Sequence, residues 1–186
     1  LGMYYTEVLH RPSAGLVYHR AVDSMKAVDV WTLYGIGRAF RALQMPDSAI
    51  DYFFLQLSLA RTVGAGWAEA YALGNLGQIC HTDFTPPRLP CAIAYYDSTL
   101  TLAEGLLREL GSDDNRTTSA EFAWEIYENR VFAVLAAEPI MGEEWVAKTS
   151  LAFSDRGRAP ALLEHQIAGR RNASMAALPS AVVDSL

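Results

Sequence analysis

The sequence lacks the features of several functional classes. No apolar run reaches the roughly 18 residues that a membrane-spanning helix requires. Lys and Arg number 15 against 21 Asp and Glu, so the chain lacks the basic surface that nucleic-acid binding requires. The two cysteines, Cys80 and Cys91, have the spacing of neither a metal site nor a redox motif. They predict no disulfide framework, which favours a reducing, cytoplasmic location.

Catalytic and metal-binding patterns are also missing. The four histidines lie far apart in the sequence: His10, His19, His81 and His165. They form no His-Glu-x-x-His or similar group of metal ligands. Gly35-x-Gly37 and Gly74-x-x-Gly77 have no preceding strand and no Lys-Ser/Thr, so they are not phosphate loops. We therefore predict no enzyme activity, no cofactor and no metal site. The alternative is that the chain is a small all-α enzyme.

What the sequence does contain is an internal repeat. A glycine recurs with an apolar residue before it and an aromatic residue or cysteine three positions later: Gly2, Gly37 and Gly77. After each glycine comes an Ala-x-x-x-aromatic pair: Ala14/Tyr18, Ala49/Phe53 and Ala92/Tyr96. Each unit is predicted to be a helix with a small residue facing its neighbour, a turn, and a second helix. Because one such unit cannot bury its apolar face alone, about three or more must stack.

This pattern resembles the tetratricopeptide repeat, with Leu-Gly-x-x-Tyr in its first helix and Ala-x-x-x-Phe/Tyr-x-x-Ala in its second. The stretch from Arg61 to Gly77 is similar to the longer variant of that repeat. Departures from the pattern are Gln56 and Thr99 at the last alanine position, and Cys80 in place of an aromatic residue. The resemblance implies an all-α fold, a right-handed α-α superhelix of about four helix pairs.

Turn residues divide the chain into units of about 1–28, 29–65, 66–115 and 116–168, followed by a linker or tail at 169–186. Pro12 and Pro46 are placed for the start of second helices. The proline-rich segment 83–90 is an extended turn that accounts for the extra length of the third unit. The fourth unit has no anchor glycine, and its helices are predicted over 119–137 and about 143–166. Because Leu1 lies within an apparent helix, we expect further chain before it.

A second resemblance lies in the last predicted helix. Residues 152–164 are similar to the helix that closes a repeat array just before a caspase-like CHAT domain. The matching residues are Arg156, Arg158, Ala159, Leu162, Leu163 and Glu164, whereas Pro160 replaces the usual arginine. The resemblance implies the non-catalytic array of a larger CHAT-type protein. The alternative is the sensory or regulatory array of a histidine kinase, a cyclase or a transcriptional regulator.

The first helices of tetratricopeptide arrays line a concave groove, so the resemblance also implies a binding surface. By register, the predicted partner-binding residues are Trp31, Tyr34, Arg38, Arg41, Tyr71, Gln78 and His81. Arg38 and Arg41 lie three apart on one helix face and could grip a carboxylate. The alternative is that the arginines form a solvated face and Trp31 packs between units. The predicted partner is a protein or peptide, not nucleic acid or a membrane; a homodimer through exposed helix faces is a further alternative.

Overall fold

Helices make up nearly all of the described chain. The computed structural model describes residues 9–24, 28–109 and 115–154, together with Gly2 and Thr6, and these contain no strand. The helices in these ranges are α1 (Pro12–Ser24), α2 (Val30–Ala42), α3 (Pro46–Val63), α4 (Gly66–Gln78), a π-helical turn (Ile79–Asp83), α5 (Leu89–Glu109), α6 (Asn115–Ala136), α7 (Glu138–Met141) and α8 (Glu143–Ser154). The all-α prediction is confirmed for these residues. A search of the described helices finds none with the length and apolar character that crossing a membrane requires.

Local sequence explains where several helices begin and end. The carboxylate of Asp29 caps α2 by accepting a hydrogen bond from the backbone N–H of Thr32 at 2.7 Å. Helices α1 and α3 begin at Pro12 and Pro46, as predicted, because the first turn of a helix does not need the missing proline N–H. Helix α3 ends at Val63 and is capped by Gly64, whose φ of 70° lies in the left-handed region that glycine adopts without steric cost.

The helices pack in chain order. Helix α2 packs on α3, α3 on α4, α4 on α5, and α5 on α6. Consecutive helices therefore form two hairpins, α2–α3 and α4–α5, which lie within the ranges 29–65 and 66–115. The two first helices, α2 and α4, also contact each other directly. This arrangement brings successive first helices onto one side of the molecule.

Each hairpin places the glycine of its first helix against the aromatic residue of its second helix. A Cβ atom added at Gly37 would lie 2.8 Å from ring carbons of Phe53. One added at Gly77 would lie 2.7 Å from the ring of Tyr96. Real Cβ atoms do not approach other carbons so closely, so the absence of a side chain permits the contact. The packing role predicted for these two glycines is confirmed.

The second helices, α3 and α5, bury the same pattern of positions. The pairs of buried residues are Ala49/Ala92, Phe53/Tyr96, Gln56/Thr99, Leu57/Leu100 and Ala60/Ala103. Gln56 Nε2 donates to the carbonyl of Ala68 in α4 at 3.1 Å. Thr99 Oγ1 donates to the carbonyl of Tyr95 in its own helix at 2.8 Å. A polar residue is tolerated at the last alanine position because it forms a hydrogen bond there.

The first unit does not repeat this packing in the residues described. Tyr18 of α1, the aromatic residue of the Ala14/Tyr18 pair, is 39% exposed. Gly15 of α1 makes a close approach, because an added Cβ would lie 2.8 Å from the carbonyl oxygen of Gly2 and would also meet Thr6. Tyr18 is therefore more exposed than Phe53 and Tyr96, its counterparts in the two hairpins.

The helices of the fourth unit are close to their predicted positions. Helix α6 begins at Asn115 rather than at 119, and α8 begins at 143 as predicted. Helix α8 is described as far as Ser154. The CHAT-like residues from 155 onward, the rest of the predicted helix and the predicted tail at 169–186 lie outside the described residues.

The two cysteines form a disulfide, contrary to the expectation from their spacing. Cys80 lies in the π-helical turn and Cys91 in the first turn of α5, with Cα atoms 6.0 Å apart. The bond closes the segment 81–90. Because permanent disulfides belong mainly to oxidising compartments, the cysteines no longer argue for a reducing one.

Candidate functional site

Four aromatic side chains lie across the first helices α2, α4 and α6. We call them the aromatic row: Trp31, Tyr34, Tyr71 and Phe122. The ring centroid of Tyr71 lies 5.7 Å from that of Trp31, 5.8 Å from that of Tyr34 and 4.2 Å from that of Phe122. These distances, with tilted or edge-to-face planes, are those of favourable aromatic pairs. The row therefore connects three successive first helices through side-chain contacts.

Burial changes along the aromatic row. Tyr34 is buried and Tyr71 and Phe122 are half-buried, whereas Trp31 is 45% exposed. Burial raises the pKa of the Tyr71 hydroxyl, and the negative charge of Glu125 raises it further. Tyr71 is therefore neutral at physiological pH and can donate a hydrogen bond. The row presents an apolar surface to solvent mainly at its Trp31 end.

Gly74 allows α6 to reach this row. A Cβ atom added at Gly74 would lie 2.9 Å from Cδ1 of Ile126 and 3.2 Å from the ring of Phe122. The missing side chain lets α6 approach α4, so that Phe122 contacts Tyr71. Local sequence thus positions the last member of the row.

A second set of side chains crosses the same three helices. We call it the polar row: Arg41, Gln78 and Glu125. Arg41 donates to Oε1 of Gln78, and Nε2 of Gln78 donates to Oε1 of Glu125 at 2.9 Å. Each helix contributes one member, α2 a cation, α4 an amide and α6 an anion. The polar row therefore has opposite charges at its two ends.

Arg41 is also bonded to the turn that follows α4. Its Nε lies 2.7 Å from Oδ2 of Asp83, and Nη2 lies 3.2 Å from Oδ1. Nη2 donates in addition to Oγ1 of Thr82 at 3.0 Å. This is a bidentate arginine–carboxylate pair. A ligand carboxylate would have to displace Asp83 to reach Arg41.

Arg38 and His81 have other contacts. The guanidinium carbon of Arg38 lies 5.8 Å from the ring centroid of Tyr34, a cation–π distance. His81 Nδ1 lies 3.3 Å from the hydroxyl oxygen of Tyr96 in α5, and the two rings meet edge to face. Burial lowers the pKa of His81, so its ring is neutral at pH 7. Arg38 therefore extends the aromatic row, whereas His81 packs on the second helix of its hairpin.

Sequence reasoning missed three residues of these helices: Asn75, which is buried, and Phe122 and Glu125, which belong to the two rows. The last two lie on α6, where no glycine fixes the register of the repeat. Asn75 lies four residues after Tyr71 and three before Gln78, so it is on the same side of α4. Its Nδ2 donates to the carbonyl of Tyr71 at 2.8 Å, but its buried Oδ1 has no hydrogen-bond partner. A buried acceptor without a partner is costly, but the burial that removes this oxygen from water also keeps a ligand from it.

A cleft of about 690 Å³ adjoins the Arg41 end of the polar row. Arg38, Arg41 and Asp83 line it on one side, with His10 and Gln44. The last two have φ values of 49° and 57°, which residues other than glycine seldom adopt. Strained backbone of this kind is concentrated at functional sites.

Within the part of the chain that the structure describes, no group of three or more His, Cys, Asp or Glu side chains could hold a metal ion. No protein-family model matches the chain, and no curated protein matches it significantly. The function therefore has to be argued from the geometry of the two rows.

Proposed function

We propose that this chain is a protein-interaction domain that binds a peptide, or a segment of a partner protein, along α2, α4 and α6. The observation that carries the proposal is the aromatic row, which is continuous across three helices and ends in the half-exposed Trp31. Trp and Tyr are enriched among the residues that dominate binding energy at interfaces. A partner side chain packed on Trp31 and Tyr71 would remove apolar surface from water.

The fold that accompanies this proposal is a tetratricopeptide-like superhelix. It is supported by the glycine–aromatic contact that recurs in two successive hairpins and by the packing of helices in chain order. In such an array the first helices line the concave side, and α2, α4 and α6 carry both rows. A larger CHAT-type protein remains the proposed context, on the resemblance of residues 152–164.

A bound peptide would meet polar groups as well as rings. The polar row places Arg41 on α2 and Glu125 on α6. Because the charge of Arg41 is paired with Asp83, the carboxylate of Glu125 at the other end favours a peptide with a cation there.

The proposal includes a cytoplasmic location and one alternative partner. In the cytosol, disulfides are usually transient or redox-sensing, so Cys80 and Cys91 would form a responsive pair there. The alternative partner is a second copy of the chain, because the α6–α8 end has exposed apolar side chains: Phe132, Leu135, Ile140, Met141 and Leu151. Exposed apolar patches of this kind mark interaction sites.

The test of the groove compares two equally exposed aromatic residues. Trp31 is 45% exposed on the aromatic row, and Phe54 is 47% exposed on α3 away from it. Peptides are selected from a displayed random library on the immobilised wild-type chain, and their affinities are measured by fluorescence polarisation. Trp31→Ala is expected to weaken binding by roughly tenfold or more, the loss of an interface hot spot. Phe54→Ala is expected to leave binding unchanged.

Both variants should melt close to the wild-type temperature, because each removes a side chain that is already about half exposed. The proposal is wrong if the selected peptides bind Trp31→Ala as tightly as wild type, if Phe54→Ala weakens them equally, or if no peptide is selected. Charge reversal at Arg38 and Arg41 is a less clean test, because Arg41→Glu would place a second carboxylate beside Asp83.

A further inference from the structure

The segment 81–90 connects the disulfide to the polar row. It begins directly after Cys80 and ends directly before Cys91. Within it, Thr82 and Asp83 accept three hydrogen bonds from Arg41. One guanidinium therefore ties α2 to a segment whose two ends are joined by the sulfurs.

Both ends of this segment pack on the hairpin, because His81 contacts Tyr96 of α5 and Leu89 is buried in the core. The backbone N–H of Arg88 donates to the carbonyl of Cys80 at 2.7 Å. The guanidinium of Arg88 lies 3.7 Å from the ring centroid of Phe84, which packs on the core. Residues 85–88 are exposed. Without the disulfide, these contacts and the pair with Arg41 would have to hold residues 82–88.

The hairpin beneath the segment does not depend on the disulfide. Gly77 of α4 packs on Tyr96 of α5, and Ala92, Leu100 and Ala103 of α5 are fully buried. Ala92 lies beside Cys91, but the other contacts extend along the helices beyond the disulfide. Breaking the bond would therefore release the segment and leave the helices packed.

We propose that the Cys80–Cys91 disulfide is a reversible redox switch that controls the Arg41–Asp83 pair. In the oxidised chain the closed segment holds Asp83 on Arg41. In the reduced chain the segment gains conformational freedom, Asp83 separates from Arg41, and the guanidinium becomes available to a ligand carboxylate. The effect on ligand binding rests on the proposed function, whereas the release of Arg41 does not.

The chemistry of the switch is thiol–disulfide exchange with a thiol reductant. Cys91 is the more accessible cysteine: it is half-buried, whereas Cys80 is only 5% exposed. The reductant thiolate attacks Sγ of Cys91, forms a mixed disulfide and releases the Cys80 thiolate. A second reductant thiolate then attacks the reductant sulfur and releases the Cys91 thiolate. Two electrons and two protons convert the disulfide into two thiols, and the reductant becomes a disulfide.

The test follows the segment and Arg41 in the purified chain, with and without dithiothreitol. Hydrogen exchange is read by mass spectrometry, and the Arg41 Nε–Hε group by NMR. Reduction is expected to speed amide exchange in 81–90 by roughly tenfold or more and to shift or broaden the Arg41 signal. Amides of 94–103 are expected to stay protected. Cys91→Ser should show the reduced pattern and no response to dithiothreitol.

Asp83→Asn is the matched control. It keeps the disulfide but weakens the carboxylate pair, so the Arg41 signal should shift while exchange in 81–90 stays close to that of wild type. The proposal is overturned by free thiols in chain purified without reductant, by an Arg41 signal that complete reduction leaves unchanged, or by loss of protection throughout α4 and α5. None of these measurements uses a peptide, so their failure is distinct from failure of the Trp31→Ala test.

Discussion

The hairpins α2–α3 and α4–α5 have similar buried cores, but their connecting segments and surface residues differ. Both bury a glycine–aromatic contact, Gly37 on Phe53 and Gly77 on Tyr96. They differ in the connection between the helices. In the first, residues 43–45 join α2 to α3; in the second, a π-helical turn and a disulfide-closed segment precede α5.

The surface positions of the two first helices differ as well. Relative to the anchor glycine, Tyr34 of α2 corresponds to Gly74 of α4, and Arg41 corresponds to His81. Tyr34 adds a ring to the aromatic row, whereas Gly74 makes room for α6. The anchor glycine makes the same contact in both hairpins, whereas these other positions make different contacts in each.

The largest effect should come from removing either buried aromatic residue. Phe53→Ala and Tyr96→Ala each leave a cavity in the same place of their hairpins, and each should lower the free energy of unfolding by about 3–5 kcal/mol. The measurement is urea denaturation followed by circular dichroism. Phe54→Ala, one residue away but 47% exposed, is the control and should cost far less. Unequal losses at Phe53 and Tyr96 would mean that the two hairpin cores are not equivalent.

A smaller effect should come from adding a methyl group at the anchor glycines. In an exposed helix, Gly→Ala stabilises by roughly 0.5–1 kcal/mol. At Gly37 and Gly77 the new Cβ would clash with a ring, so each variant should instead lose about 1–3 kcal/mol. Gly105→Ala in α5 is the control, because a Cβ there meets nothing within 4 Å. Stabilisation at all three glycines would show that the helices do not approach as described.

The smallest effect should come from His81, which occupies the position in α4's unit that Arg41 occupies in α2's unit. Burial lowers the pKa of folded His81 below its usual value of 6.5, so below that pH the unfolded chain binds more protons. The stability due to neutral His81 is therefore complete above pH 6.5 and is lost as the pH falls below it. Melting temperatures measured across this range should fall more in wild type than in His81→Asn. An identical pH dependence in the two proteins would contradict the burial of His81.

The repeated core could be predicted from the sequence because its signals are local. Gly37 and Phe53 lie 16 residues apart, and close packing leaves few residue types for such a contact. The same register predicted Trp31, Tyr34 and Tyr71 on one surface, and their rings are in contact in the structure. Their role in binding a partner stays a prediction.

Other features of the site depend on geometry that the sequence does not encode locally. Asp83 reaches Arg41 from 42 residues away, so nothing near Arg41 marks it as occupied. Cys80 and Cys91 meet because the proline-rich segment between them turns back on itself. Helix α6 has no anchor glycine, so the sequence did not show that Phe122 and Glu125 face α4; only the packing of the two helices shows it.

The packing of helices in chain order has a consequence for folding kinetics. Most contacts of the main helices are with the helices just before and after them in the chain, so short chain loops suffice to close these contacts. Proteins with low contact order of this kind fold in microseconds to milliseconds. During synthesis, α2 and α3 could pair before α4 has left the ribosome, and each later helix could add to a surface already formed.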